Sequence, residues 1–396
     1  MRKQQNPYSL ATDLRCSNCN RSYPISTVIN VSPCCNQPLL VEYDHQQTFF
    51  RKNLIGREHS IWRYFEMLPV KDPKNIISLG EGYTPIRPLK NLSDKYGYSS
   101  ILMKDESYNP TGSFKARGIS VAISKAKELG IEKFIIPTAG NAGGALAAYC
   151  AEAGMECIVI MPAHTPDVFK NECELYGAKL ITVKGLINDC AKKANEINDK
   201  NEYFNISTFK EPYRLEGKKI MGYEIAEQLN WQLPNAIVYP AGGGTGLIGI
   251  WKAFTEMLKL GWIKKPLPKM IAIQADNCAP IKAASDDPDN WQNNFFPKPT
   301  IAHGLAVPFP FGMNLIQKTL TESNGEVITV TEKEITDGIN EIASAEGLFV
   351  SPEGSATWKA LAHLKQKGTI KDKDNILLLN TASGYKYMED LHKETE

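Results

Sequence analysis

Residues 236–258 read AIVYPAGGGTGLIGIWKAFTEML, and their order points to one class of fold. A β-prone run over 236–239 ends in Gly242, Gly243, Gly244, Thr245 and Gly246, and an apolar helix follows over 247–258. Glycines let a backbone come close to an anion, and the N–H groups at a helix start, aided by its dipole, favour negative charge there. The stretch reads as a phosphate cradle at the C-terminal end of a strand, where open α/β sheets place their ligands. It lacks the Gly-Lys-Ser/Thr ending of a nucleoside-triphosphate loop. Its spacing also misses the dinucleotide fingerprint, which needs an acidic residue about 20 positions on.

The same alternation runs through the chain. SSILMKDE (99–106), KFIIPTAG (133–140), ECIVIMP (156–162), AKLITV (178–183), KMIAIQA (269–275) and NILLLNTASG (375–384) are short apolar runs separated by helical stretches. Such runs between helices predict parallel sheets covered on both faces, an α/β protein. Its 396 residues exceed the roughly 250–300 at which a single core stops growing, so two domains are expected.

Residues 109–118 read NPTGSFKARG. Asn109, Pro110, Thr111, Gly112 and Ser113 form a turn, and Phe114 and Lys115 open a helix. Lys115 therefore lies beside N–H groups that lack helical partners, at the positive end of a dipole. That setting favours the neutral amine, the species that forms a Schiff base with a carbonyl. A solvated surface lysine is the alternative, and the crowding by Gly, Ser and Phe tells against it. In PTAGNAGGALAAYCAEAG (137–154), a strand end turns through Gly140, Asn141, Gly143 and Gly144 into a helix whose small side chains demand close packing. Asn141 is expected at the N-cap, capping the helix or sharing its amides with a ligand for which the glycines leave room. A phosphate cradle and an amine of lowered pKa in one chain define a phosphorylated aldehyde as cofactor, pyridoxal phosphate.

LGEGYTPI (79–86), KDESYNPTGSFKARG (104–118), GNAGGALAAY (140–149), SPEGSATWKAL (351–361) and NTASGYK (380–386) together resemble the fold type II, or β-family, pyridoxal-phosphate enzymes, and most of all the threonine synthases. The resemblance spans residues 79–386. It implies two three-layer α/β/α domains: a large cofactor-binding domain from 46–100 and 215–396, and a small one from 101–214, behind a zinc-ribbon-like segment at 1–45. By the same resemblance Lys115 is the Schiff-base lysine and proton shuttle, and Asn141 bonds the cofactor's phenolic oxygen. Gly242, Gly243, Gly244, Thr245 and Gly246 take its phosphate, and Thr381 meets the pyridine nitrogen, with Ser383 as the fallback. A neutral hydroxyl there makes the ring a weaker electron sink than an aspartate would.

The implied lyase activity converts O-phosphohomoserine and water to threonine and phosphate. Ser113, Asn109 and Thr84 are candidates to contact that substrate. A second phosphate then needs a cation, for which Lys104 and Arg117 are the candidates, and His303 is the histidine to watch, with a structural role as its alternative. Family members are mostly dimers, so a homodimer is expected. Two departures matter: Ala116 stands where synthases commonly carry Asp, and Ala142-Gly143 stands where they carry Thr-Ser. An apolar residue at 116 is also how serine/threonine dehydratases read, so an ammonia-lyase of the same fold is the alternative. A non-catalytic ligand sensor that keeps the fold is a third reading.

With 45 basic and 44 acidic residues, the net charge is +1, and no global field recruits nucleic acid or an anionic membrane. The expected partner is a small amino-acid substrate. No apolar run approaches the roughly 20 residues of a membrane span, and no apolar stretch follows the basic start, so a soluble, cytoplasmic protein is expected. Of nine cysteines, Cys150, Cys157, Cys173, Cys190 and Cys278 sit singly and read as buried thiols. Cys16, Cys19, Cys34 and Cys35 outline a zinc ribbon. A ribbon normally closes on a second spaced pair, whereas Cys34 and Cys35 are adjacent, so bringing all four sulfurs to one ion asks for an awkward backbone. A metal-free relic of a ribbon is the other reading.

Overall fold

The computed structural model describes residues 8–46 and 49–393. Its first elements are β1 (Ala11–Cys16), β2 (Ser22–Pro24), β3 (Leu39–Tyr43), β4 (Ile86–Pro88), α1 (Lys90–Tyr96), β5 (Ser100–Asp105) and α2 (Lys115–Glu128). There follow β6 (Lys133–Pro137), α3 (Asn141–Ala153), β7 (Glu156–Pro162), α4 (Asp167–Leu175), β8 (Lys179–Val183), α5 (Ile187–Ile197), β9 (Phe204–Asn205) and α6 (Arg214–Gln228). Next come β10 (Ala236–Pro240), α7 (Thr245–Lys259), β11 (Lys269–Ala275), α8 (Pro280–Asp286), α9 (Trp291–Asn294) and α10 (Met313–Glu322). The last are β12 (Glu326–Val330), α11 (Glu332–Glu346), α12 (Pro352–Gln366), β13 (Asn375–Asn380) and α13 (Met388–Lys393).

The chain divides into two units. The first comprises Met1–Tyr83, Lys115–Tyr223 and Thr255–Ile263, and the second Thr84–Phe114, Glu224–Phe254 and Lys264–Glu396. In the first, β1 pairs antiparallel with β2 and β3 in a small sheet, and a parallel four-stranded sheet runs in the order β8-β7-β6-β9. Its apolar runs form strands whose side chains are covered by helix: Ile135 of β6 and Ile158 and Ile160 of β7 bury against Cys190 and Ala194 of α5. Each such isoleucine contributes about 1.5–3 kcal/mol.

The second unit holds a six-stranded sheet, order β12-β11-β10-β13-β5-β4, parallel except for the β4–β5 pair. Val238 of β10, Ile273 of β11 and Leu378 of β13 share one core with Trp358, Leu361 and Leu364 of α12. The α/β architecture read from the alternation is the one observed. Among the described residues no helix is long and apolar enough to cross a membrane. Cys150, Cys157, Cys173, Cys190 and Cys278 are all buried, and none of them is in a disulfide.

Candidate active site

Within the second unit, β10, β13 and β5 run parallel as neighbours, so their C-terminal ends lie side by side. These ends carry the glycine loop, Thr381 and the turn over 106–114. The turn is tied to the end of β13: the Phe114 N–H donates to the Thr381 carbonyl at 3.0 Å and the Ser383 N–H to the Gly112 carbonyl at 2.9 Å. Ser113 is fully buried and its Oγ has no hydrogen-bond partner. Thr111 Oγ1 is likewise buried without one, and Thr111 takes a left-handed φ of 60°. A buried hydroxyl left unbonded costs about 1–3 kcal/mol, and a β-branched residue at positive φ costs about as much again. Two such features within one short turn are a cost that nothing in the packing of the turn offsets.

Two other expected substrate contacts meet a carboxylate. Thr84 Oγ1 donates to Glu106 Oε1 at 2.6 Å, and Asn109 Nδ2 donates to Glu106 Oε2 at 2.8 Å and to the Glu106 carbonyl at 2.9 Å. Both are buried, and both hold the fully buried Glu106 carboxylate. Glu106 went unnoticed in the sequence, although an acid at a strand end followed by a Pro-Gly turn is a usable signal. Lys104 is not available for a substrate phosphate: its amine bonds Glu224 Oε2 at 2.9 Å, the Thr84 carbonyl at 2.9 Å and Gln228 Oε1 at 3.0 Å. A lysine with three donors so placed has none to spare.

The glycine loop opens α7 at Thr245, which is buried. Its glycines are needed for packing as well as for backbone approach. A Cβ on Gly242 would fall 2.2 Å from the Gly304 carbonyl oxygen, and one on Gly246 2.0 Å from Tyr239 Oη. Gly244 has φ +76°, and a Cβ there would fall 2.4 Å from Ile316. What remains is a bare strand-to-helix turn at a helix N-terminus, and it fits a phosphate group. Thr381 is buried at the end of β13, while Ser383 spends its hydroxyl capping the next turn at the Tyr385 N–H, 3.4 Å away. Thr381 is therefore the hydroxyl better placed to serve a ligand. His303 Nε2 lies 2.8 Å from Asp390 Oδ2 and its ring stacks on Tyr387, the structural alternative.

In the first unit, β6 lies between β7 and β9, so the ends of β6 and β9 carry the Asn141 turn and the segment leading to α6. Gly140, not Asn141, occupies the N-cap of α3; Asn141 is the first helical residue. The glycines after it leave less room than expected, since a Cβ on Gly144 would fall 1.9 Å from Glu172 Oε2 and one on Gly143 2.7 Å from Met161. They serve the close packing that the small-sided helix requires.

Lys115 opens α2, as the sequence predicts, and is half-buried. Here α2 meets α6 backbone to backbone. A Cβ on Gly118 would fall 2.6 Å from the Arg214 carbonyl oxygen, and one on Gly217 2.0 Å from that of Arg117. The contact gathers Lys115 and Arg117 from one helix start with Arg214 and Lys218 from another; Arg117, Arg214 and Lys218 are buried. Burial holds the Lys218 amine far below its usual pKa, Arg214 and Lys115 repel its proton further, and Glu211 opposes them. Arg214 Nη1 donates to the Ile206 carbonyl at 2.6 Å, while its buried Nε has no partner. Arg214 and Lys218 were missed in the sequence. The signal was EPYRLEGKK at 211–219, a charged run in an otherwise globular stretch, all of it buried.

The four N-terminal cysteines do come together: their Sγ atoms all lie within 4.8 Å of one another. The adjacent pair is no obstacle, because the Ser32 carbonyl accepts the Asn36 N–H at 2.8 Å in a tight turn, with Asn36 at φ 50°.

Compared with known proteins, residues 77–382 match the family described as pyridoxal-phosphate dependent enzyme. The threonine synthase of Methanocaldococcus jannaschii is 34% identical over 94% of this chain and 92% of its own length. That of Halalkalibacterium halodurans is 33% identical over 83% and 90%. Among solved structures, an O-ureido-L-serine synthase superposes with a TM-score of 0.67 at 21% identity, over 80% of this chain and 94% of that one. The processed form of threonine deaminase isoform 2 from Solanum lycopersicum does so with a TM-score of 0.63 at 19% identity, over 78% and 87%.

Proposed function

The chain belongs to the pyridoxal-phosphate dependent enzymes, and from that footing we propose that it is a lyase of the threonine synthase type, converting O-phosphohomoserine and water to threonine and phosphate. The observation that carries this reading is the 34% identity to a threonine synthase across 94% of the chain. The cofactor, when bound, supplies an electron sink for the carbanion left when a proton is removed beside an amino group.

The chain's own residues then divide the work. Lys115 would hold the cofactor through its amine and would move protons at the substrate's α carbon. The bare turn at 242–246 and the start of α7 would hold the cofactor's phosphate, the Thr381 hydroxyl would serve its ring nitrogen, and Asn141 its phenolic oxygen. The orphaned Ser113 hydroxyl is reserved for the substrate. The substrate's own phosphate requires cations, since a dianion left unpaired in a closed site costs several kcal/mol. Arg117 and Arg214 at the α2–α6 contact supply them in place of Lys104, with the Lys218 amine beside them as a further donor.

A dehydratase reading rests on one observation, the buried Ala116 beside Lys115. Purified enzyme given O-phosphohomoserine should release phosphate and threonine. Release of 2-oxobutanoate from threonine, with O-phosphohomoserine untouched, would overturn the synthase and leave the cofactor standing.

Two further readings belong to this proposal. Cys16, Cys19, Cys34 and Cys35 hold a structural zinc ion, as an all-thiolate set of this compactness suits tetrahedral coordination; metal analysis of the purified chain tests it, and absence of zinc sinks it. The chain works as a homodimer, and Phe296, 80% exposed, is an apolar residue that such an assembly could cover. Sedimentation as a monomer would exclude this.

A further inference from the structure

The N-terminal sheet, remote in sequence from Lys115, fastens to the segment that delivers Arg214 and Lys218. Asn30 Nδ2 donates to the Asn205 carbonyl at 2.7 Å and to the Lys210 carbonyl at 2.7 Å, clipping shut the loop between β9 and α6. The Tyr213 hydroxyl reaches the Ile25 carbonyl at 3.5 Å. Tyr43, the last residue of β3, donates its hydroxyl to Glu216 Oε2 at 2.8 Å, and Lys219 Nζ sits 3.7 Å from the centre of its ring. Lys219 also bonds Glu216 at 2.7 Å and Glu256 at 3.0 Å. Three separated points of the N-terminal segment, one on β3 and two in the loop after β2, thus hold one stretch, 205–219. That stretch is the one whose Gly217 presses on the Arg117 carbonyl, next but one to Lys115. At the other end, Asn30 stands two residues from Ser32, whose Oγ accepts from Cys16 Sγ at 3.3 Å and from the Gln37 N–H at 3.0 Å.

We propose that the cysteine-bearing sheet is a positioning element for the first turn of α6, with Asn30 the residue through which the state of the four-cysteine site reaches Lys115. The physical link is short. Metal-held cysteines fix the turn around Ser32, that turn fixes Asn30, and Asn30 fixes the loop from which Glu211 and Arg214 depart. Lys115 and Lys218 lie close enough to repel each other's proton, and Arg214 and Glu211, from α6 and its approach, act on the same Lys218 amine. Nearby cations lower the proton affinity of a nitrogen, so a loosened α6 raises the pH at which the nitrogen of Lys115 titrates. The low proton affinity of Lys218, to which Lys115 contributes, shows that these groups sense one another. The inference rests on the cofactor and zinc readings above.

The test uses the full-length holoenzyme and three variants, Asn30→Ala, Asn30→Gln and Tyr43→Phe. The visible absorption of the lysine-bound cofactor is titrated with pH beside steady-state kinetics and melting. Asn30→Ala should lower kcat about tenfold with little change in melting, and should raise the midpoint of the cofactor titration. Tyr43→Phe, which loses one of the other fastenings, should move both in the same direction, and Asn30→Gln, which keeps both donors, should recover part of the loss. Removing zinc from the wild type with a chelator should reproduce the Asn30→Ala shift and should add nothing in Asn30→Ala itself; added zinc chloride should restore only the wild type. A cofactor titration unchanged in Asn30→Ala overturns the proposal. So do additive effects of zinc removal and substitution, which would mean separate routes. A wild type lacking the visible band overturns the cofactor reading as well, and a wild type lacking zinc overturns the metal link, so each failure is told from the others.

Discussion

Ser113 shows what a single side chain can report. Its hydroxyl is buried with no hydrogen-bond partner, which is a cost to the fold that a ligand contact would offset. Ser113→Ala is expected to leave the fold as stable or about 1 kcal/mol more stable, while raising KM for O-phosphohomoserine roughly tenfold with kcat and cofactor affinity held. A lower melting temperature with unchanged KM would assign the hydroxyl to the fold instead. Lys115 is the sharper case. Lys115→Ala should abolish turnover and the visible band of bound cofactor, since among the lysines only this one opens a helix behind the 109–114 turn; a band that persisted would remove the basis for the assignment. Lys104 illustrates the opposite outcome: its charge is as buried as any in the molecule, yet its partners are Glu224, Thr84 and Gln228, and it answers to the fold.

At the scale of elements, the α2–α6 contact depends on two glycines. A methyl group at Gly217 would meet the Arg117 carbonyl at 2.0 Å, and backbone cannot step aside as a flexible side chain can. Gly217→Ala should therefore cost about 1–3 kcal/mol or more in urea unfolding, and should separate the cations from Lys115, lowering kcat beyond what the stability loss explains. Gly244 belongs to the same class. Read as sequence, a bulky residue at 243 or 244 ought to harm cofactor binding more than the fold; with φ +76° and Ile316 at 2.4 Å, Gly244→Ala should harm both together.

For the molecule as a whole, buried ionisable groups set how stability follows pH. Lys218 holds its amine deprotonated well below the value near 10.4 that it regains when unfolded. Between its lowered folded value and the unfolded one the unfolded chain binds the extra proton, so stability rises with pH there until the unfolded lysine also loses it. Buried Tyr43, Tyr149 and Tyr223 are raised above their usual value near 10, by burial first and by neighbouring carboxylates second. Their contribution is complete below that value and is lost as pH climbs past it. Urea melts between about pH 7 and 11 should thus show stability rising to a maximum near pH 9–10 and then falling. Lys218→Met should flatten the rising limb and leave the falling one.

The sequence by itself determined the α/β class, the helix opened by Lys115, the glycine turn before α7 and the identity of the four cysteines. Each of these is written locally, in the period of apolar residues or in glycines at a strand end, and local patterns survive without knowledge of what lies across the molecule. It left undecided which polar residues are spoken for. Thr84 and Asn109 read as substrate contacts with no sign that both bond Glu106, and Asn141 read as an N-cap until Gly140 took that position. Asn30 and the Lys218–Arg214 group carried no readable signal of their partners. Asn30 finds its carbonyls 175 and 180 residues away, and Lys104 finds Gln228 at a separation of 124. Hydrogen bonds and ion pairs of that reach are chosen by how sheets and helices pack, so only the tertiary structure decided them.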